Sequence, residues 1–234
     1  MPTRPHAVLL DVGGVFHLPS RARVAAALAR SGYQVTDDKM IDRAHYVAVR
    51  VFPFDEAPDL EHWDQYVETY ARSFGFDEPE LPGVLEHLEP EFATAGLWSQ
   101  VVEGSRAGLE ELIATGVAVG VVSNSDGAVA ERLRSQGVLQ VGPGPGVEVR
   151  CVIDSGQVGV AKPDPRIFEI ALDILGGVAP EQVWYVGDTP GIDVVGARRA
   201  GIHPVLMDPF RLYRDIGVDA VESLGEVAAM LASP

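Results

Sequence analysis

The run Ala7-Val8-Leu9-Leu10-Asp11-Val12-Gly13-Gly14-Val15 constrains the fold of this chain more than any other stretch. Four consecutive apolar residues read as a strand buried on both faces, the kind found in parallel sheets covered by helices. The acid that ends the run then falls at the strand's carboxyl edge, where open α/β sheets bind their ligands. The two glycines beyond it let the backbone turn sharply and approach a ligand or metal closely. A plain strand and turn would fit the same residues, so the discriminating signals must come from elsewhere.

At 234 residues the chain can bury a large core, in one large domain or two smaller ones. No apolar run reaches the length of a membrane span. The segment Met1-Pro2-Thr3-Arg4-Pro5-His6 is too short and polar for a signal peptide, because the apolar run after it is interrupted by Asp11. A cytoplasmic protein is expected, and the single Cys151 excludes an internal disulfide and suits a reducing compartment. A net charge of −16 argues against nucleic acid or an anionic membrane as partner, since phosphates are repelled over much of the surface. The acidity is uneven: residues 52–91 carry twelve acids against one base, Arg72, which reads as a solvated helical face. Oligomeric state leaves no trace in the sequence.

After the first strand the pattern turns helical and stays so to about Gln100. Val24 and Leu28 begin a helix after Ser20; Met40, Ile41, Ala44, Val47 and Ala48 mark a second; Trp63, Tyr66, Val67 and Tyr70 a third, ending at Gly75; Val84, Leu85 and Leu88 a fourth, begun near Pro82. The stretch Phe52–Pro58 is the most evident loop among them. From Glu103 helices and strands alternate. Ser105 is placed to cap a helix through Thr115, and residues 117–122 read as a buried strand. Ser125 or Asp126 caps a helix bearing Val129 and Leu133, and the Gly-Pro run 142–146 is a surface loop. Residues 149–153 read as one strand and Arg166–Leu175 as a helix after Lys162-Pro163-Asp164-Pro165. Val183–Val186 is a strand ending at Gly187-Asp188, followed by a helix through Ala200, a strand at Val205-Leu206 and a closing helix, Leu224–Leu231.

Three strands thus end in chemically useful groups: Asp11, Ser123-Asn124 and Asp188, with Lys162 and Asp193 on adjoining segments. Four separated motifs carry a resemblance to the haloacid dehalogenase-like superfamily. They are Leu10-Asp11-Val12-Gly13-Gly14-Val15, Val122-Ser123-Asn124-Ser125, Ala161-Lys162-Pro163-Asp164-Pro165 and Val186-Gly187-Asp188-Thr189-Pro190-Gly191-Ile192-Asp193, in the family's order. The helical block after the first strand falls where the family inserts its cap. The resemblance implies a doubly wound, mainly parallel α/β core over residues 1–15 and 101–234, with a helical cap over 16–100. It implies a magnesium-dependent phosphohydrolase acting on a small phosphorylated metabolite. Asp11 would be nucleophile and magnesium ligand, Asp188 a second carboxylate ligand and the Gly13 carbonyl a third. Lys162 would screen Asp11 and the phosphoryl oxygens, which Ser123 and the Asn124 backbone would also bind, and Asp193 would orient the metal's waters. The charge logic is general: a carboxylate attacks a phosphate dianion only where cations offset the repulsion.

One departure matters. Most phosphatases of the family carry a second Asp two residues after the nucleophile, as general acid and then base, and here that position is Gly13. Such groups contribute about 10²–10⁴ in rate. Three outcomes stay open at this level: a hydrolase with another proton source or a leaving group that needs none, a phosphate-binding or regulatory protein without turnover, and a 2-haloacid dehalogenase. His17, the nearest titratable side chain, reads as an ordinary polar residue at the entrance to the cap, and Cys151 as a buried structural thiol. Arg21, Arg23, Arg43, His45, Tyr46 and Arg50 fall in the cap's less acidic half and read as helix faces.

Overall fold

The computed structural model describes residues 4–53, 60–213 and 216–232. Its core is one six-stranded sheet, ordered Asp219–Val221, His203–Met207, Val183–Gly187, Ala7–Leu10, Ala118–Ser123 and Val152–Asp154, all parallel. Ala7, Val8, Leu9 and Leu10 are fully buried, because a central strand in a sheet covered on both faces has no solvent side. Leu10 aligns with Val121 on one flank and Val186 on the other, so Asp11, Ser123 and Asp188 leave adjacent strands at nearly one level.

Two apolar layers enclose this sheet. One packs Phe168, Ala171 and Leu172 of the helix Arg166–Ile174 against Leu9 and Tyr185; the other packs Leu109 and Leu112 of Ser105–Ala114 and the helix Leu224–Ala232 against Val8, Leu10 and Val186.

The four helices expected between the first two sheet strands are present as Arg21–Arg30, Asp38–Ala48, Leu60–Arg72 and Leu81–Phe92. Their apolar stripes converge on a cluster of their own that includes Val24, Leu28, Ile41, Tyr70 and Leu88. Ser20 caps the first helix, as its sequence position implies. From residue 54 the Phe52–Pro58 loop lies outside the described residues.

Several local expectations need correction. The helical pattern does not run unbroken to Gln100: His17–Pro19 and Trp98–Val101 pair as an antiparallel ribbon where the chain enters and leaves the helical block. Ser105 is not a cap; Gly104 holds that position, and the Ser105 hydroxyl donates to the Val102 carbonyl. The helix Val129–Ser135 gains its first-turn acceptor from the next strand, where Asp154 takes the Gly127 and Val129 N–H groups, while Asp126 takes only that of Ala128. The 149–153 run is split, Val147–Val149 pairing with Leu139–Val141 and Val152–Asp154 joining the main sheet. The edge strand Asp219–Val221 was not anticipated. Such three-residue strands are too short to show alternation.

The helical block has an apolar centre separate from the sheet's, so truncating one of its inner side chains is felt there. Leu88→Ala, at a fully buried position, lowers the unfolding free energy by about 2–5 kcal/mol, read as a drop in the urea midpoint.

Candidate active site

The carboxyl ends of Ala7–Leu10, Ala118–Ser123 and Val183–Gly187 bring Asp11, Ser123 and Asp188 to the floor of a cavity of about 430 Å³. The Asp11 N–H donates to Val186 O, which seats the acid between its neighbours. Lys162 arrives from the segment before Arg166–Ile174, 4% exposed, and its ammonium contacts Asp11 Oδ1 at 2.7 Å, Asp193 Oδ1 at 2.8 Å and the Tyr185 hydroxyl at 2.6 Å. Three donors meet three acceptors, which a buried cation requires. Asn124 secures the lysine from behind: its Oδ1 accepts the Lys162 N–H and its Nδ2 donates to the Lys162 carbonyl.

Asp188 has partners of its own. The Thr189 hydroxyl donates to Oδ1 at 3.1 Å, and His45 Nε2 donates to Oδ2 at 2.6 Å from the helix Asp38–Ala48. The other ring nitrogen of His45 meets the Tyr66 hydroxyl at 2.9 Å. Asp11, Asp188 and Asp193 present oxygens that all lie within 4.8 Å of one another. Three buried carboxylates against one ammonium leave an excess of negative charge of the kind a divalent cation offsets. The Asp11 carboxyl is raised to about 7, chiefly by burial, with Lys162 pulling it down and Asp193 and Asp188 pushing it up. For Lys162, burial opposes the charge, but Asp11 and Asp193 outweigh it and raise the ammonium above its usual range. Burial, reinforced by Asp11 and Asp193, also lifts the Tyr185 phenol.

Two glycines make this density possible. Gly14 has φ +62° and a side chain there would fall 2.3 Å from Asp188 Cγ; one at Gly187 would fall 2.4 Å from Asp193 Cγ. Gly13 differs from both. A Cβ there meets only Asp11 Oδ2, at an ordinary 3.7 Å, so a Cβ at the position the family fills with Asp meets no clash. The helix expected after Asp188 opens as a π-helical turn, Pro190–Val194, before continuing as Val195–Arg199. That turn carries Asp193 inward, where Oδ2 accepts the Thr189 N–H.

The structure thus gathers Asp11, Gly13, Ser123, Asn124, Lys162, Asp188 and Asp193 in one place. Of Arg21, Arg23, Arg43, His45, Tyr46 and Arg50, His45 is the one that lines the cavity, as His17 also does. Tyr46 donates to the Gly14 carbonyl at 2.6 Å, Arg21 pairs with Asp42, Arg23 pairs with Glu91, and Arg50 lies over the Tyr213 ring. His17 is not an ordinary entrance residue: it is 1% exposed, its Nε2 meets Gln136 Oε1 at 2.6 Å and its Nδ1 has no hydrogen-bond partner among the described residues. Cys151 is buried, and burial raises its thiol. Sequence reasoning missed the parts of Tyr185, Thr189 and Tyr66. Tyr185 sits in an apolar strand run and gives no sign of its hydroxyl's task; Thr189, beside Asp188 in the motif, was the accessible signal.

The raised Asp11 carboxyl sets a pH dependence. In metal-free protein the folded state holds the Asp11 proton more readily than the unfolded chain, so stability falls as pH rises from about 4 to about 7, by at most about 1.4 kcal/mol per pH unit. Urea titrations in EDTA check this: the slope seen in the parent over that window is reduced in Asp11→Asn.

The description haloacid dehalogenase-like hydrolase matches the chain over residues 6–201. A phosphoserine phosphatase of Thermus thermophilus is 50% identical over 68 residues, 29% of this chain and 27% of that protein. Haloacid dehalogenase-like hydrolase domain-containing protein 3 of Bos taurus is 31% identical over 144 residues, 62% of this chain and 54% of the relative. The chain therefore matches only about a quarter and about half of the lengths of these two relatives. A HAD phosphatase from Thermococcus onnurineus shares the fold with a TM-score of 0.55 at 19% identity, over 97% of each chain. The HAD-hydrolase YfnB of Bacillus subtilis, solved bound to magnesium, does so with a TM-score of 0.57 at 19% identity, over 99% of this chain and 100% of that one. With a matching family description over most of its length and the corresponding parallel core, this chain belongs to the haloacid dehalogenase-like hydrolase family.

Proposed function

We propose that this protein is a magnesium-dependent phosphohydrolase of small phosphorylated metabolites, working through an aspartyl-phosphate, with residues 16–100 acting as a cap over the site. The observation that carries this reading is the convergence of Asp11, Asp188, Asp193 and Lys162 at adjacent strand ends. The donor set of hard carboxylate oxygens suits magnesium, which Asp11, Asp188 and the Gly13 carbonyl would hold with Asp193 orienting its waters. When bound, magnesium supplies the positive charge that lets a phosphoryl group approach Asp11.

The remaining roles fall to the chain's own groups. Lys162 holds Asp11 Oδ1, which leaves Oδ2, on the Gly13 side, as the attacking oxygen. Attack on phosphorus breaks the ester bond, and the electron pair leaves with the alcohol oxygen. Water then attacks the same phosphorus, releasing inorganic phosphate and restoring the Asp11 carboxylate. Ser123 and the Asn124 N–H bind phosphoryl oxygens, with Lys162 offsetting their charge.

A panel of phosphate esters assayed with magnesium tests the reading. Turnover is expected on at least one ester and is lost in Asp11→Asn; binding without Asp11-dependent turnover would make the protein a phosphate-binding or regulatory one instead. Halide release from 2-haloacids in EDTA would assign it to carbon–halogen cleavage. Magnesium raises the Tm of the parent, and Asp188→Ala abolishes that rise. An unchanged magnesium shift in Asp188→Ala removes Asp188 from the ligands.

The open space at Gly13 makes a gain-of-function test practicable. Gly13→Asp folds and raises hydrolysis of alkyl phosphates more than of aryl phosphates, since only the former need a proton on the leaving oxygen. Equal gains on both would mean that proton donation was not the missing element.

A further inference from the structure

The cavity above Asp11 has two unlike ends. Its floor is polar, with Lys162 held between Asp11 and Asp193 and Asp188 held by His45 and Thr189. Its walls toward the helical block are Phe52, Trp63, Tyr66, Phe92 and Trp98. These rings are arranged among themselves: Phe52 meets Trp63 edge-on at 4.9 Å between centroids, Tyr66 meets Phe92 edge-on at 5.6 Å, and the His45 ring meets Trp98 edge-on at 5.1 Å.

Along this wall the Tyr66 hydroxyl lies on His45 and His45 on Asp188, which leaves the two indole N–H groups of Trp63 and Trp98 among ring surface. The other basic side chain that lines the cavity, Arg132, holds Asp126 at 2.8 Å, and Lys162 is shared between Asp11 and Asp193. A polyol would leave its hydroxyls facing ring faces and edges, and a second anionic group would find each cation engaged. A planar apolar group fits both constraints, since aromatic rings prefer the offset and edge-on contacts that such walls offer.

Gly13 supplies an independent argument. With no carboxyl two residues past Asp11, the site lacks the family's proton donor for a departing alkoxide, whose conjugate acid lies near the pKa of water, about 15.7. A phenol, with a pKa of about 10, departs as its anion far more readily.

We infer that the ligand of this site is an aryl phosphate: a monophosphate ester of a phenolic hydroxyl, its ring held between Phe52, Trp63, Tyr66 and Trp98. The inference rests on Asp11 being the phosphoryl acceptor. The bond from phosphorus to the phenolic oxygen breaks, its electron pair leaves on that oxygen and the phenolate takes a proton from solvent. Water then cleaves the Asp11 phosphate, losing its proton to solvent.

Three substrates separate the two requirements. Phenyl phosphate has the ring and the acidic leaving group, benzyl phosphate the ring with an alkoxide, and acetyl phosphate an acidic leaving group with no ring. With magnesium, kcat/KM for phenyl phosphate exceeds that for benzyl phosphate by on the order of 10². Its KM lies below that of acetyl phosphate by about tenfold or more, and Trp63→Ala narrows this KM ratio. Asp11-dependent hydrolysis of acetyl phosphate with an equal or lower KM overturns the aromatic ligand and leaves the hydrolase reading standing. Equal kcat/KM on phenyl and benzyl phosphate overturns the leaving-group argument and with it the inference. If none of the three turns over, the hydrolase reading is left to the wider ester panel and the cavity is decided by binding. Phenylphosphonate then has to quench the fluorescence of Trp63 and Trp98 at concentrations about tenfold below methylphosphonate, and equal affinities overturn the aromatic site.

Discussion

A buried ammonium group with all three of its hydrogens engaged is the interaction on which this site depends. Transfer of an unpaired cation into a protein interior is prohibitively unfavourable, and so is transfer of two carboxylates beside each other. Lys162 solves both at once by bridging Asp11, from the central strand, to Asp193, from the turn after a neighbouring one. The bridge works only because other groups immobilise it. Asn124 grips the lysine's main chain on both sides of its peptide unit, and Tyr185 takes the third hydrogen while its own hydroxyl reaches the Val122 carbonyl. Asp11 at one strand end, Tyr185 within the neighbouring strand and Asp193 in the turn after it are thereby tied to one nitrogen atom.

The site is strongly asymmetric. Below the cavity carboxylates and an ammonium are bound to one another, and above it the helical block offers mostly ring surface. His45 joins the halves, its ring lying against Trp98 while its Nε2 reaches the Asp188 carboxylate. An acid of the core therefore depends on a side chain from the helical block, and neither half of the site is complete without the other.

Much of this was legible in the sequence because burial writes simple patterns. Strands buried on both faces appear as apolar runs, and the polar residue that ends each run marks the functional edge; Asp11, Ser123 and Asp188 were found in this way. The four helices of residues 21–92 declared themselves by spacing, since each buries a single stripe. What was not legible depends on contacts distant in sequence. Nothing around His45 tells that its ring reaches a carboxylate 143 residues later, and Tyr185 in Val-Trp-Tyr-Val looks like any core aromatic. The π-helical turn at Pro190–Val194 was hidden for another reason. Its residues satisfy the rules for a helix start, and only the position of the Asp193 carboxylate distinguishes one extra residue per turn.

The ribbon of His17–Pro19 and Trp98–Val101 has a mechanical consequence. The chain passes into the helical block and out of it through two strands hydrogen-bonded to each other, so the two connections cannot bend independently and behave as a single flat stem. That stem is not insulated from the chemistry. The Gly14 N–H donates to the His17 carbonyl, and the His17 ring lies on Gln136, whose amide donates to the Ser99 carbonyl in the opposite strand. Any rotation of the helical block about the stem must therefore strain or release the loop that follows Asp11, which makes the torsional stiffness of seven short residues part of what positions the nucleophile.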